Sequence, residues 1–73
     1  RGVAYMSKLI NDLVGKQCII RSEFIFSFAG KTELSCKIID ADDEWIKICY
    51  TEKKDKQVVK LMRIENIESI EEQ

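Results

Sequence analysis

The sequence lacks proline and histidine altogether and has only three glycines among its 73 residues. Without histidine it lacks the side chain that most often acts as a general base near neutral pH and that is common in zinc sites. An excess of positive charge is also missing, since the formal net charge is −1. No apolar run approaches the ~18 residues of a membrane-spanning helix. We therefore expect no membrane partner and no long-range attraction to nucleic acid.

The three cysteines also argue against a metal site. Cys18, Cys36 and Cys49 lie in separate apolar segments and form no C-x-x-C pair, which a zinc site would need. Their odd number and apolar surroundings predict three buried, reduced, structural thiols. Because no signal-peptide pattern is visible either, we expect a cytoplasmic protein without cofactor or metal.

A catalytic site is not expected. The carboxylates of residues 40–44 lack the glycine and the distal glutamate of a calcium-binding loop. The chain contains no nucleophile motif and no glycine-rich phosphate loop. We interpret the protein as a non-enzyme.

Helical periodicity occurs once, near the start. Leu9, Ile10, Leu13 and Val14 recur at helical spacing and Gly15 follows them. This predicts a short amphipathic helix over about residues 7–14. Such a helix is marginal alone, so its apolar stripe should dock on an open end of a sheet.

From Cys18 onward, alternation predicts strands. The first would run from Cys18 to Phe28 and place Phe24, Phe26 and Phe28 on one face. The next two strands each have one apolar face, formed by Leu34, Cys36 and Ile38 and by Ile46, Ile48 and Tyr50.

The last two strands differ from these. Residues 57–64 are apolar on both faces, with Val58 and Met62 on one and Val59 and Leu61 on the other. Such a strand is covered on both sides, by sheet bending or by another subunit. A short final strand follows, anchored by Ile67 and Ile70.

The predicted fold class is mainly β: a short N-terminal α-helix and a five-stranded, strongly bent antiparallel meander that closes into a small barrel. The connections are too short for parallel crossovers. We assign residues 1–73 to a single domain, with the barrel over about 16–71. Residues 1–5 precede Met6, and the sequence leaves open whether they are native, added or disordered. A domain of this size buries only about 60% of its unfolded surface, so oligomerisation is expected to contribute to its stability.

This order of elements resembles the Sm-like (LSm and Hfq-type) small β-barrel family. Leu13-Val14-Gly15-Lys16, followed by Gly30, Leu34 and Asp40, is similar to the first Sm motif. Met62-Arg63-Ile64-Glu65-Asn66-Ile67, closing with Ile70, is similar to the second. The resemblance implies a homo-oligomer, as a ring or a dimer, formed through the strands at 57–64 and 66–71. It also implies RNA as a partner.

Six residues are candidates for RNA binding. Arg63 and Asn66 match the RNA-contacting motif of the family; Trp45 can stack a base; and Lys53, Lys54 and Lys56 can attract phosphate. Each has a structural alternative. Arg63 can pair with Glu65 or Glu68 while Asn66 shapes a turn, Trp45 can cover the helix or a neighbouring subunit, and the lysines can form a solvated hairpin tip.

The chain departs from the family at both halves of the RNA pocket. Asp43 and Glu44 stand nearest to the positions that supply a stacking side chain and an asparagine, and Ile64 replaces a glycine. Two main functions therefore remain: a self-assembling Sm-like module that binds RNA, or a structural or protein-interaction module that does not. A third interpretation is a barrel similar to the one at the end of ribosome maturation factors, acting through a protein partner.

Overall fold

The computed structural model describes residues 8–73, which form one antiparallel sheet of five strands and a short helix between the first two. The strands are β1 (Gln17–Arg21), β2 (Glu33–Ala41), β3 (Trp45–Thr51), β4 (Gln57–Arg63) and β5 (Ser69–Glu72), and the helix is α1 (Glu23–Ala29). The predicted mainly β class, strand number and antiparallel pairing are confirmed. Within residues 8–73, no helix has the length and apolar character needed to cross a membrane.

The last strand departs from the predicted meander. The strand order is β4-β3-β2-β1-β5, so β5 lies beside β1, where Ile70 is opposite Ile20. After β4 the chain makes a short 3₁₀ turn, Ile64–Asn66, and crosses to the other side of the sheet. β4 and β5 are therefore the two edges, and the sheet formed by the described residues does not close into a barrel.

The predicted strand from Cys18 to Phe28 is wrong in its second half. β1 ends at Arg21, and Ser22 caps α1 by accepting a hydrogen bond from the Phe24 N–H at 3.1 Å. Gly30 ends the helix with a φ of 75°, a left-handed conformation that glycine adopts without steric cost. Its N–H donates to the Phe26 carbonyl. Ser22 and Gly30 therefore form hydrogen bonds with backbone groups at the two ends of α1.

Helical spacing also separates the phenylalanines. Ile25 is buried, and Phe28 and Ala29, which lie on the same side of α1, are half-buried. Phe24 and Phe26 are exposed. The prediction that all three phenylalanines share a covered face is therefore wrong, because residues three and four apart share a face in a helix whereas alternate residues do so in a strand.

The core lies on the inner face of the sheet. Its fully buried large side chains are Ile20, Ile25, Ile38, Ile46, Ile48 and Met62. The predicted inward faces of β2 and β3 are confirmed, and β4 directs Met62 and the half-buried Val58 inward. The opposite face of β4 carries Val59 and Leu61, which are exposed.

The predicted apolar stripe of the N-terminal segment packs against this core except for Leu9, whose side chain is exposed. Residues 8–11 are helical and 12–15 form turns; Ile10 is buried and Leu13 and Val14 pack against the core cluster. Gly15 has a φ of 87°. The predicted helix over about 7–14 is thus observed from residue 8 to residue 11, and residues 1–5 and Ser7 lie outside the described part of the chain.

Ser22 joins three parts of the fold. Besides capping α1, its hydroxyl donates to the Asn66 carbonyl at 2.6 Å, and its N–H donates to the Thr32 carbonyl at 2.9 Å. Ser22 is fully buried, and no other polar or charged side chain among residues 8–73 is buried. These bonds connect the end of β1, the start of α1 and the turn that precedes β5.

All three cysteines are free. Cys18 and Cys36 lie opposite each other in β1 and β2 and are buried, while Cys49 is half-buried. Burial raises the pKa of the Cys36 thiol to about 12, with smaller contributions from Cys18 and Cys49. The prediction of free thiols is confirmed, and the prediction that all three are buried is wrong for Cys49, which is half-buried.

Ser22→Ala should lower the free energy of unfolding by about 1–3 kcal/mol, because it removes a helix cap and leaves the Asn66 carbonyl without its donor. Urea denaturation followed by circular dichroism measures this. Ser27→Ala is the matched control, since the Ser27 hydroxyl is exposed and bonds only within α1. Equal midpoints for the two variants would show that the Ser22 bonds contribute little.

The free energy of unfolding should fall as the pH rises above about 9. In the unfolded chain the Cys36 thiol ionises near its ordinary pKa of 9.0, but the folded chain retains that proton up to about pH 12. The native state thus holds more protons in this range, and rising pH favours unfolding. Cys36→Val should flatten the dependence of the urea midpoint on pH, whereas Cys49→Val serves as the half-buried control. Identical slopes for wild type and Cys36→Val would contradict this assignment.

Candidate functional site

The residues predicted to bind RNA lie at two ends of the β3–β4 hairpin. Trp45 is opposite Arg63 at one end, and Thr51 is opposite Gln57 at the other. Seven residues of strand separate the ends by about 20 Å. Lys53, Lys54 and Lys56 follow Thr51, so the structure does not bring the lysines together with Trp45 and Arg63.

Trp45 and Arg63 contact each other. The guanidinium carbon of Arg63 lies 5.3 Å from the centre of the Trp45 ring, and the Trp45 side chain remains exposed. Arg63 also approaches Glu65, with 3.6 Å between Nη2 and the carboxylate. Its buried Nε has no hydrogen-bond partner among residues 8–73. Arg63 therefore covers part of the indole and is itself only partly neutralised.

A turn rich in carboxylates holds this pair in place. The Asp42 carboxylate accepts hydrogen bonds from the N–H groups of Trp45 at 2.8 Å and Glu44 at 2.9 Å, and these bonds lower its pKa. The Glu44 carbonyl accepts from the Ile64 N–H at 2.8 Å. The turn thus fixes Trp45 and the residue after Arg63, and it places negative charge beside the indole. Negative charge at this point opposes the approach of phosphate.

Asn66 has a different set of contacts. It ends the 3₁₀ turn after β4, and its carbonyl accepts from Ser22. Among residues 8–73, no hydrogen bond joins the side chain of Asn66 to Trp45 or Arg63. Positive φ values in residues 8–73 occur at Gly15, Gly30, Lys54 and Asp55 and not at Ile64, where the Sm-like pattern has glycine.

The three lysines form an exposed hairpin tip. Lys53–Asp55 is a 3₁₀ turn in which Lys54 and Asp55 have φ values of 64° and 60°. Lys53, Lys54 and Lys56 are exposed. Their geometry is that of a solvated turn with a local excess of positive charge.

Two hydrogen bonds, one at each end of β4, show which backbone groups of this strand are paired with β3 and which lie on its free edge. The Glu52 N–H donates to the Lys56 carbonyl, and the Ile64 N–H donates to the Glu44 carbonyl. Because antiparallel strands alternate, the even-numbered residues of β4 bond to β3 and the odd-numbered ones turn their backbone groups outward. Among the latter are Val59 and Leu61, whose side chains are 58% and 53% exposed. This edge therefore offers both unpaired backbone groups and apolar side chains.

The free edge of β5 has the opposite arrangement of side chains. The Gln73 N–H donates to the Gln17 carbonyl, so alternation leaves the backbone groups of Ile70 and Glu72 directed outward. The side chain of Ile70 packs against the core. At the β5 edge, Ile70 therefore directs its backbone groups to the free edge while its side chain packs against the core. At the β4 edge, Val59 and Leu61 also direct their backbone groups to the free edge, but their side chains are exposed.

The two edges differ in charge. From residue 53 to residue 63 the chain has five cations and one carboxylate: Lys53, Lys54, Lys56, Lys60 and Arg63, with Asp55. From residue 64 to residue 73 it has four carboxylates and no cation: Glu65, Glu68, Glu71 and Glu72. The β4 edge is therefore basic and the β5 edge acidic. The sequence shows the two charged segments, but only the strand order shows that they lie on the two opposite free edges of the sheet.

Sequence reasoning missed a cleft of about 480 Å³ between α1 and the β3–β4 hairpin. Its lining residues are Phe28, Ala29, Lys31, Leu34, Tyr50, Thr51, Glu52 and Lys53. The cleft forms because the chain is helical from Glu23 to Ala29. A strand continuing to Phe28, as the sequence predicted, would not form this cleft. The signals that point to this helix are Ser22 and Gly30 at its two ends.

No protein-family model, curated protein or solved structure matches this chain. The resemblance to the Sm-like family remains a prediction from the residues.

Arg63→Ala should shift the fluorescence emission of Trp45 to longer wavelength, because removal of the guanidinium exposes more of the indole to water. Trp45 is the only tryptophan, so the signal has one source. Lys37→Ala, which removes an exposed cation opposite Cys49 and away from Trp45, should leave the emission unchanged. Coincident spectra for Arg63→Ala and wild type would mean that the Trp45–Arg63 contact is absent in solution.

Proposed function

We propose that this chain is a non-enzymatic, self-assembling β-module whose copies join head to tail, the free edge of β4 in one copy pairing with the free edge of β5 in the next. The observation that carries the proposal is the pair of open edges, which differ in charge and expose complementary backbone groups. Exposed strand edges readily pair with other chains. Assembly through residues 57–64 and 66–71 is also what the Sm-like resemblance implies.

Antiparallel pairing of these edges would cover the exposed apolar side chains of β4. In an antiparallel ladder, the two residues of a hydrogen-bonded pair turn their backbone groups toward each other and their side chains to the same side. Val59 and Leu61 would therefore lie beside Ile70 of the next copy. This contact explains why a strand at the edge of a small sheet is apolar on both faces.

Charge favours the same arrangement. The basic segment before and within β4 would meet the acidic segment around β5 of the next copy, whereas two β4 edges or two β5 edges would repel each other. Joining two different surfaces is heterologous, so the assembly forms a closed ring if the rotation between copies closes. For a domain of 73 residues such association adds buried surface that a single copy lacks.

RNA binding is the second candidate function. It is favoured by the exposed Trp45 ring beside the Arg63 guanidinium, since aromatic and arginine planes both stack on bases. The carboxylates at residues 42–44 oppose RNA binding because they repel phosphate. The proposed assembly does not require RNA. A ring would nevertheless repeat the Trp45–Arg63 pair once in every copy, so RNA binding and assembly are compatible.

A charge-exchange experiment tests the head-to-tail arrangement. Lys53→Glu/Lys54→Glu/Lys56→Glu makes the β4 end acidic, and Glu68→Lys/Glu71→Lys/Glu72→Lys makes the β5 end basic. Each variant alone should fail to assemble, and an equimolar mixture should assemble into alternating copies, because each altered edge then meets an edge of opposite charge. Native mass spectrometry at low salt measures the number of subunits and detects any co-purified RNA.

Val59→Pro is the control for edge pairing. The Val59 N–H points away from β3, so proline removes no bond of the β3–β4 ladder but blocks the free edge. We expect monomers with an unchanged β-sheet circular dichroism spectrum. A wild-type chain that is monomeric at all concentrations, or a Val59→Pro variant that still assembles, would refute the proposal. RNA bound to the wild type and lost in assembled Arg63→Ala would support the second candidate.

A further inference from the structure

The floor of the cleft is aromatic. Phe28 of α1, Leu34 of β2 and Tyr50 of β3 line it. The ring centres of Phe28 and Tyr50 are 5.7 Å apart, with 35° between the ring planes. Tyr50 is buried and Phe28 only half-buried, so Phe28 presents the more accessible aromatic surface. The volume of about 480 Å³ falls within the ~300–1,000 Å³ of small-ligand sites.

Three lysines surround this floor. Lys31 and Lys53 line the cleft, and the Lys60 ammonium lies 4.2 Å from the centre of the Phe28 ring. None of the three forms an ion pair with a carboxylate of residues 8–73. Glu52 is the one carboxylate among the described lining residues. The cleft therefore combines an apolar ring surface with an excess of positive charge, since two of its lining residues are lysines and one is a carboxylate.

We propose that this cleft binds a nucleoside monophosphate, with the base against Phe28 and Tyr50 and the phosphate between Lys31 and Lys53. A planar base matches the aromatic floor. A phosphate carries nearly two negative charges and three acceptor oxygens, so two lysines can share it, whereas a carboxylate carries one charge. The residues that line the cleft lie outside β4 and β5, and Lys60 of β4 reaches it only through its contact with the Phe28 ring.

Calorimetric titration of the full chain with AMP tests the proposal, with two partial ligands for comparison. Adenosine supplies the base without the charge, and ribose 5-phosphate supplies the charge without the base. AMP should bind at least about tenfold more tightly than either, because only AMP engages both the rings and the lysines. Its affinity should fall as salt is raised, since the lysine–phosphate attraction is screened.

Two variants locate the site. Lys31→Ala and Phe28→Leu should each weaken AMP binding about tenfold, by loss of a charged contact and of a stacking surface respectively. Lys47→Ala is the matched control: it removes the same charge from the exposed face of β3 and should leave the AMP affinity unchanged. For wild-type protein, the amide resonances of Tyr50 and Thr51 should shift during the titration, which locates the site without any substitution.

Several results would overturn the proposal. Equal affinities for AMP and ribose 5-phosphate would show a binding site for anions without a role for the base. Benzoate binding as tightly as AMP would assign the cleft to aromatic acids instead. An absence of AMP saturation at millimolar concentration, or an unchanged affinity in Lys31→Ala, would remove nucleotide binding from this cleft.

Discussion

The fold depends on the hydrogen bonds of one buried serine. Ser22 ends β1, begins α1 and holds the carbonyl of Asn66 in the turn before β5. A buried hydroxyl is costly unless it is fully bonded, and here one oxygen both accepts from Phe24 and donates to Asn66. This bond anchors the turn after β4 beside the end of β1, and β5 then pairs with β1. The two free edges and the cleft beside α1 both follow from that arrangement.

The open edges follow from the crossing after β4. A simple meander would have placed β5 beside β4 and covered the exposed Val59 and Leu61 within the same chain. With β5 beside β1, β4 keeps a row of unpaired backbone groups, and the acidic C-terminal segment is carried away from the basic hairpin. Natural sheets usually protect such edges with charge, and here the two edges carry opposite charge, which disfavours pairing of like edges and favours pairing of unlike ones.

The proposed binding functions occupy different parts of the molecule. Trp45 and Arg63 lie at the start of β3 and the end of β4, next to a turn whose carboxylates include Asp42, held charged by backbone hydrogen bonds. The cleft lies at the opposite end of β3, where lysines predominate. An anionic ligand is therefore electrostatically favoured at the cleft and disfavoured at the position that the Sm-like resemblance selects. The lining residues of the cleft lie outside β4 and β5, and Lys60 of β4 contacts the Phe28 ring.

The sequence by itself determined the strands whose alternation is regular. The inward faces of β2 and β3, the turn between β3 and β4 and the two-faced character of β4 follow from side-chain period and need no tertiary information. The segment from Phe24 to Phe28 fits two periods, since its apolar residues satisfy both alternation and helical spacing. The local caps at Ser22 and Gly30 favour the helix, and tertiary structure decided for it because the helix places Ile25 in the core. The position of β5 was likewise decided by long-range contacts with β1, which no local pattern encodes.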